Sequence, residues 1–304
     1  MRFLAIGECM AELAPSASPG EFRLGFAGDT FNTAWYLARV APDIETSFLT
    51  AVGQDQISDD LCAFMAASGI ATHSVKRHPS KTVGLYLISL HNGERSFSYW
   101  RDQSAARTLA SDADHLARAV KDADLIYFSG ITLAILPSDK RATLLKALRQ
   151  ARSEGKTIAF DPNLRPRLWE TPETMTRSIM QGAEVSDIAL PSFEDDAAWF
   201  GDASPRATAH RYQKAGAKTI VVKNGADPVL YAEGSTFGEV AVSALDVVTD
   251  TTAAGDSFNA GLFAGHAAGL SLPAGIAYAC ALSRCVVQHR GALAGAGLPP
   301  LPRG

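Results

Sequence analysis

From Asp124 onward, short apolar and β-branched runs alternate with helical patterns, and this order restricts the fold more than any other feature of the chain. Parallel strands joined by crossover helices produce such alternation, so an α/β protein with a mostly parallel central sheet is expected. Strands are predicted at residues 125–128, 157–160, 187–190 and 219–222, and helices at about 140–153, 173–183 and 205–215. Upstream, Phe3 to Ile6 reads as a buried first strand and Ser47 to Val52 as another. The stretch from Asp55 to Ser68 carries Ile57, Leu61, Phe64 and Met65 at core-helix spacing. The residues just beyond the strands are small, polar or charged: Ser129-Gly130, Asp161-Pro162-Asn163-Leu164-Arg165, Pro191-Ser192 and Lys223-Asn224-Gly225. Open α/β sheets bind ligands outside the carboxyl ends of their strands, so this edge is the expected site.

Several functions are disfavoured. The first strand is followed by Gly7-Glu8-Cys9-Met10, which is not the G-x-G-x-x-G of a dinucleotide fold. Gly155-Lys156-Thr157 has the look of a P-loop ending, but Gln150 stands where the loop needs glycine and a strand follows. Balanced charge, 28 Lys+Arg against 32 Asp+Glu, argues against a nucleic-acid partner. Cys9, Cys62, Cys280 and Cys285 have no zinc spacing and suit a reducing compartment. The N-terminal apolar run is too short for a signal segment and no stretch has transmembrane length, so a cytoplasmic protein without membrane partners is expected.

Chemistry concentrates in Asp250-Thr251-Thr252-Ala253-Ala254-Gly255-Asp256-Ser257-Phe258. Leu245 to Val248 reads as the end of a strand, and Ser257 to Ala268 as a helix, making this a strand-to-helix turn. The first N–H groups of a helix lack internal partners and carry partial positive charge. Ala253, Ala254 and Gly255 have no bulk, so an anion can reach those groups. Asp256 in the first turn is expected to stay ionised under the helix dipole and to act as a base through position, not through a raised pKa. An anion cradle beside a carboxylate suits phosphoryl transfer to a hydroxyl. The same residues also make an ordinary helix N-cap.

Two segments stand apart from the alternating frame. One is Ala11 to Phe26, with Pro15, Pro19 and Gly20; the other is Thr82 to Arg101. In the second, Asn92-Gly93 between β-rich runs is a hairpin signal, with Phe97, Tyr99 and Arg101 on one face of the returning arm. Gly28-Asp29 forms a turn before a helix, and Asp29 and Asn32, three apart, share the face at its start. Ala277 to Gln288 reads as a terminal helix, and Gly295 to Pro300 as a tail with no reason to order.

Asp250-Thr-Thr-Ala-Ala-Gly-Asp256 resembles the D-T-x-G-A-G-D signature of the ribokinase-like (PfkB) sugar kinases, with Ala253 in place of the usual glycine. Ala27-Gly28-Asp29-Thr30-Phe31-Asn32-Thr33-Ala34 resembles their G-G-x-x-x-N-x-A motif, and Val52-Gly53-Gln54-Asp55 their V-G-x-D. The resemblance implies one ribokinase-like domain over residues 1–304, with a small β lid from about 11–27 and 82–104. It implies ATP as phosphoryl donor, Asp256 as base, and an anion hole at Ala253, Ala254, Gly255 and Asp256. Arginines at 101 and 165 point to an acidic substrate, because a guanidinium grips a carboxylate bidentately. With Gly84-Leu85-Tyr86 they resemble the 2-keto-3-deoxygluconate kinase branch. By that likeness Gly28, Asp29, Asn32, Tyr86, Tyr99, Arg101, Arg165 and Asp256 contact the sugar acid, Arg165 also facing the phosphate. Ser192, Lys223, Gly225, Gly255 and Cys280 are implied for the nucleotide. The family's N-x-x-E is degenerate here, Ser192-Phe193-Glu194-Asp195, so Mg²⁺ is expected on the phosphates and water without a protein-side ligand. A monovalent cation near Asp250 and a homodimer through the lid are further implications. The rivals are a kinase for a neutral sugar such as fructose or for a nucleoside, and a catalytically silent sugar-acid sensor.

Overall fold

The computed structural model describes residues 1–16, 18, 20–91, 94–245 and 247–302. Pro19, the Asn92-Gly93 turn and Asp246 lie outside the described residues, as do the side chains of residues 90, 91, 94 and 95. The chain runs β1 (Arg2–Ile6), β2 (Met10–Pro15), β3 (Phe22–Ala27), α1 (Asp29–Val40), β4 (Glu45–Val52), α2 (Gln56–Ala67), β5 (Ile70–Ala71) and β6 (Val75–Arg77). Next come β7 (Leu85–His91), β8 (Glu94–Trp100), α3 (Ala113–Asp122), β9 (Leu125–Ser129), α4 (Gly130–Ile135), α5 (Ser138–Ser153) and β10 (Thr157–Asp161). The remainder is α6 (Pro172–Glu184), β11 (Ile188–Ala189), α7 (Phe193–Phe200), α8 (Pro205–Ala215), β12 (Thr219–Val222), β13 (Val229–Glu233), β14 (Thr236–Val240), α9 (Ala254–Ala267) and α10 (Leu272–Val286).

The large sheet has the order β14-β13-β12-β11-β10-β9-β1-β4-β5, with β6 also paired to β4. It is parallel from β5 to β12, as the alternation predicts, and antiparallel at β12-β13-β14. Side chains of a strand alternate between faces. Accordingly Phe3 and Ala5 join a core with α1, α9 and α10, including Phe31, Phe263 and Ile276. Leu4 and Ile6 join the opposite core with Leu144, Leu148 and Ile179. Local signals set the helix ends. Asp55 caps α2 by accepting from Ser58 N at 3.0 Å, and α8 lies between the Ser204 cap and a left-handed Gly216.

A second sheet, ordered β3-β2-β7-β8, is built from the two segments that stand apart in the sequence. The β7–β8 arms pair antiparallel, Leu85 opposite Trp100, as the hairpin reading requires. Phe97 and Tyr99 share a face, their ring centroids 6.3 Å apart.

Two expectations fail and one boundary shifts. Leu245–Val248 is not a strand end: its described residues are irregular, with Val247 68% and Val248 53% exposed, and β14 has already closed that edge of the sheet. The next residues, Thr249 and Asp250, instead donate their N–H groups to Val287 O at 2.8 and 3.1 Å, beyond the end of α10. The C-terminal segment is ordered: Leu298 and Leu301 pack on the core, and Tyr278 OH donates to Pro299 O at 3.0 Å. Leucines spaced through a Gly/Pro-rich stretch supply apolar burial that its composition hides. The terminal helix begins at Leu272, five residues before the predicted 277, after Ser271 and with Pro273 in its first turn.

Candidate active site

The site forms where the carboxyl ends of β1, β9, β10 and β12 meet the N-termini of α1 and α9. Asp250 closes the loop before α9: its Oδ1 accepts from Thr252 N (3.1 Å) and Oγ1 (2.7 Å), and its Oδ2 from Gly291 N (2.7 Å). Ala253 then takes a left-handed conformation, φ 60° and ψ 17°, as N-cap of α9. A methyl in that region costs about 1–2 kcal/mol. Ala254 N donates to Thr251 O at 3.1 Å, so this expected member of the anion hole is already engaged in the turn.

Asp256 follows in the first turn. Its Oδ2 accepts from Asn32 Nδ2 at 2.8 Å, and Asn32 Oδ1 accepts from Gly28 N at 3.3 Å, which fixes the amide's orientation. Gly28 is the N-cap of α1, and Asn32 is buried. Asp29 accepts from Asn163 Nδ2 at 2.9 Å. Beneath, Asp161 Oδ2 accepts from Lys223 Nζ at 2.7 Å and from Asn259 Nδ2 at 2.6 Å. Asp29 and Asp161 therefore both act on Asp256, and Lys223 is paired with Asp161. Burial first, then repulsion from Asp29 and Asp161, pushes Asp256 up to about 8, against the Asn32 hydrogen bond and Lys223. This corrects the expectation of an unshifted base: desolvation and like charge outweigh the dipole of one helix end.

A cavity of about 960 Å³ opens over these groups. Gly28, Asp29, Asn32, Tyr86, Tyr99, Arg101, Arg165, Ser192, Lys223, Ala253, Ala254, Gly255 and Asp256 all line it. The cavity does not reach two predicted residues. Gly225 lies in the exposed turn after β12, and Cys280 packs from α10 against the core. The two arginines differ. Arg101 is 8% exposed and its Nε donates to Glu8 Oε2 at 2.9 Å, with Nη2 on the same oxygen. Arg165 is half-exposed, donates to Leu164 O at 2.7 Å and stands 3.8 Å from Asp195.

Residues not singled out from the sequence also belong here: Glu8, Asp161, Asn163, Asp195 and Asn259. Asp161 and Asn163 were visible in position, since both stand at the end of β10 or just beyond it. Asn259 lies three residues after Asp256, on the same face of α9. Glu8 had no signal beyond its place after β1.

Residues 2–297 match the pfkB family carbohydrate kinase pattern. The chain is 37% identical over 296 residues to 2-dehydro-3-deoxygluconokinase of Haemophilus influenzae, covering 95% of this chain and 94% of that one. It is 38% identical to the Dickeya dadantii enzyme of the same name, covering 95% of each. Among solved structures it resembles fructokinase with bound ATP from Xylella fastidiosa, with TM-score 0.81 and 25% identity over 96% of this chain and 93% of that one. The match over nearly the whole length, with Asp256 at the start of α9 facing a cavity, makes the chain a member of the pfkB family of carbohydrate kinases.

Proposed function

We propose that the protein transfers the γ-phosphoryl group of ATP to a primary hydroxyl of 2-keto-3-deoxygluconate. The observation that carries this reading is Asp256, at the N-terminus of α9, sharing a cavity with Arg101 and Arg165. The named activity of the Haemophilus and Dickeya relatives supports the same substrate. In this reading the sugar hydroxyl attacks the γ-phosphorus, its proton passes to Asp256, and ADP leaves. The N–H groups of Ala253, Gly255 and Asp256, with Arg165, stabilise charge on the transferring group. Ser192 and Lys223 face the nucleotide side, and Lys223 is positioned for phosphate by Asp161.

Mg²⁺, when bound, offsets phosphate charge. It prefers oxygen ligands and keeps much of its water, so phosphate oxygens and water are its expected ligands, with Asp195 at the cavity wall able to hold one of those waters. A monovalent cation beside Asp250 is a further element of the proposal, checked by exchanging potassium for choline in the assay. A cytoplasmic location belongs to it too, since ATP is the donor and all four cysteines are free thiols.

ADP release with MgATP is the test, run on 2-keto-3-deoxygluconate, its galactonate epimer, gluconate, fructose, ribose and adenosine. Strong turnover of the keto-deoxy acid, cut roughly 10²–10⁴-fold in Asp256→Asn, is expected. One observation favours a neutral sugar instead: Glu8 already offsets the Arg101 charge. Preference for fructose would adopt that reading, and binding without turnover would indicate a sensor.

A further inference from the structure

Two buried carboxylates stand beside the cavity residues of the second sheet and take no part in the transfer described above. Glu8 follows β1 and Glu12 lies in β2, 2% and 9% exposed. Each is bonded to one cavity residue of the second sheet and the segment that leaves it. Arg101 donates to Glu8 through Nε and Nη2, and Tyr86 OH donates to Glu12 Oε2. The backbone is shaped to admit Glu8: a Cβ at Gly84 would lie 2.7 Å from Glu8 Oε1, and one at Gly28 would lie 2.0 Å from Glu8 O.

The donor inventory then restricts how a ligand is read. A phenol has one proton. Glu12 takes that of Tyr86, and burial together with Glu12 raises the phenol well above its ordinary ionisation, so the proton stays in place. Toward the cavity the Tyr86 oxygen offers only lone pairs. Arg101 spends Nε and part of Nη2 on Glu8, while its Nη1 makes no hydrogen bond among the described residues.

We propose that Glu8 and Glu12 are positioning residues that set the substrate's orientation. Glu8 holds the guanidinium so that its remaining N–H groups meet the substrate carboxylate. Glu12 makes Tyr86 an acceptor, which a substrate hydroxyl must face. A carboxylate or keto oxygen at Tyr86 would set lone pair against lone pair. The acid end therefore lies at Arg101, and the primary hydroxyl is left for Asp256. This inference rests on the proposed sugar-acid substrate.

The test compares wild type, Glu8→Gln and Glu12→Leu with two substrates, 2-keto-3-deoxygluconate and its neutral carboxamide, reading kcat and KM separately. Thermal melting of each variant confirms folding. The expected result for Glu8→Gln is kcat within about twofold and KM for the acid up about tenfold, with the acid-over-amide preference reduced by the same factor. Glu12→Leu, which removes the acceptor and frees the Tyr86 proton toward the cavity, should raise KM for both substrates several-fold, about equally, at unchanged kcat. If Glu8→Gln does not fold, Glu8→Asp keeps the charge one methylene back and should give a smaller rise of the same kind. Lower melting temperatures with unchanged KM values and preference would overturn the proposal, as would tighter acid binding in Glu8→Gln. A wild-type enzyme that does not use the acid fails the substrate reading instead, before any variant is compared.

Discussion

At Asp256 two effects pull the ionisation in opposite directions. The α9 dipole favours the carboxylate, while burial and two neighbouring acids favour the protonated form and prevail, to about 8. The folded protein therefore keeps this proton up to about pH 8, whereas an unfolded aspartate releases it near ~3.9. Stability contributed by the group is full below the lower value and is lost as pH rises through the upper one. Asp256→Asn mimics the protonated form, so its melting temperature should match wild type at pH 4 and exceed it at pH 8. Equal differences at both pH values would refute the shift. Catalysis should show the cost: kcat/KM rises with unit slope up to about pH 8, and Asp256→Asn loses roughly 10²–10⁴-fold in kcat. Ala253 illustrates a second tension at this scale. Its methyl sits at φ 60° yet packs against the cluster of Met10, Tyr86 and Ala292. Ala253→Gly relieves strain but loses that contact and gains unfolded-chain entropy, so denaturant titration should give a change within about 1 kcal/mol. Ala253→Val, β-branched in the left-handed region, should lose distinctly more.

At the scale of elements, α9 presents Asp256 from a helix that α10 approaches closely at two glycines. A Cβ at Gly261 would meet Ala279 Cα at 2.7 Å, and one at Gly265 would meet Gly275 Cα at 2.9 Å. Gly261→Ala must push the helices apart, with an expected loss of about 1–3 kcal/mol by thermal or chemical denaturation, and a fall in kcat as Asp256 shifts. Unchanged stability would mean that the helices are not held in close contact. Whether an element could be read in advance depends on how it is encoded. Strand β12 and helix α8 coincide with residues 219–222 and 205–215, because β-branched runs, Pro205 and Gly216 mark their ends. The β13–β14 hairpin passed unread although Gly234-Ser235, a two-residue turn with Gly234 at φ 56°, is itself a hairpin signal. The turn from Asp250 to Asp256 was legible as a motif, but its electrostatics were not. The charges on Asp256 come from Asp29 and Asp161, 227 and 95 residues away, and only the folded chain brings them together. Likewise Arg101 was legible as a guanidinium near the pocket, but its partner Glu8 lies 93 positions earlier.

At the scale of the whole molecule, the second sheet has two apolar faces and the cavity uses one. Met10, Ala27, Tyr86, Phe97 and Tyr99 look into the cavity. The register sets Leu24, Leu13, Leu87 and Ser98 in one row across the other face, with Phe22 beside Pro15. Part of that face packs on the main body through Phe26, 5.6 Å from Phe64 between ring centroids, and through Leu85. The outer part does not: Phe22 is 47%, Leu24 45% and Trp100 59% exposed. Contiguous apolar surface rimmed by polar residues marks an interaction site, and β3 and β8 are both edge strands. A second copy of the chain meeting sheet to sheet would cover these residues and hold the hairpin over the cavity, excluding water from the transferring phosphate; that dimer is the proposal tested next. Leu24→Asp and Trp100→Asp are expected to convert a dimer to a monomer in sedimentation. Because neither side chain lines the cavity, Asp256 and its neighbours stay intact, and the expected functional change is weaker closure. ATP hydrolysis without sugar should rise relative to sugar phosphorylation as the dimer is lost. A protein that sediments as a monomer before any substitution, with the same ratio of the two reactions in both variants, would remove the lid interface and leave the face to another partner.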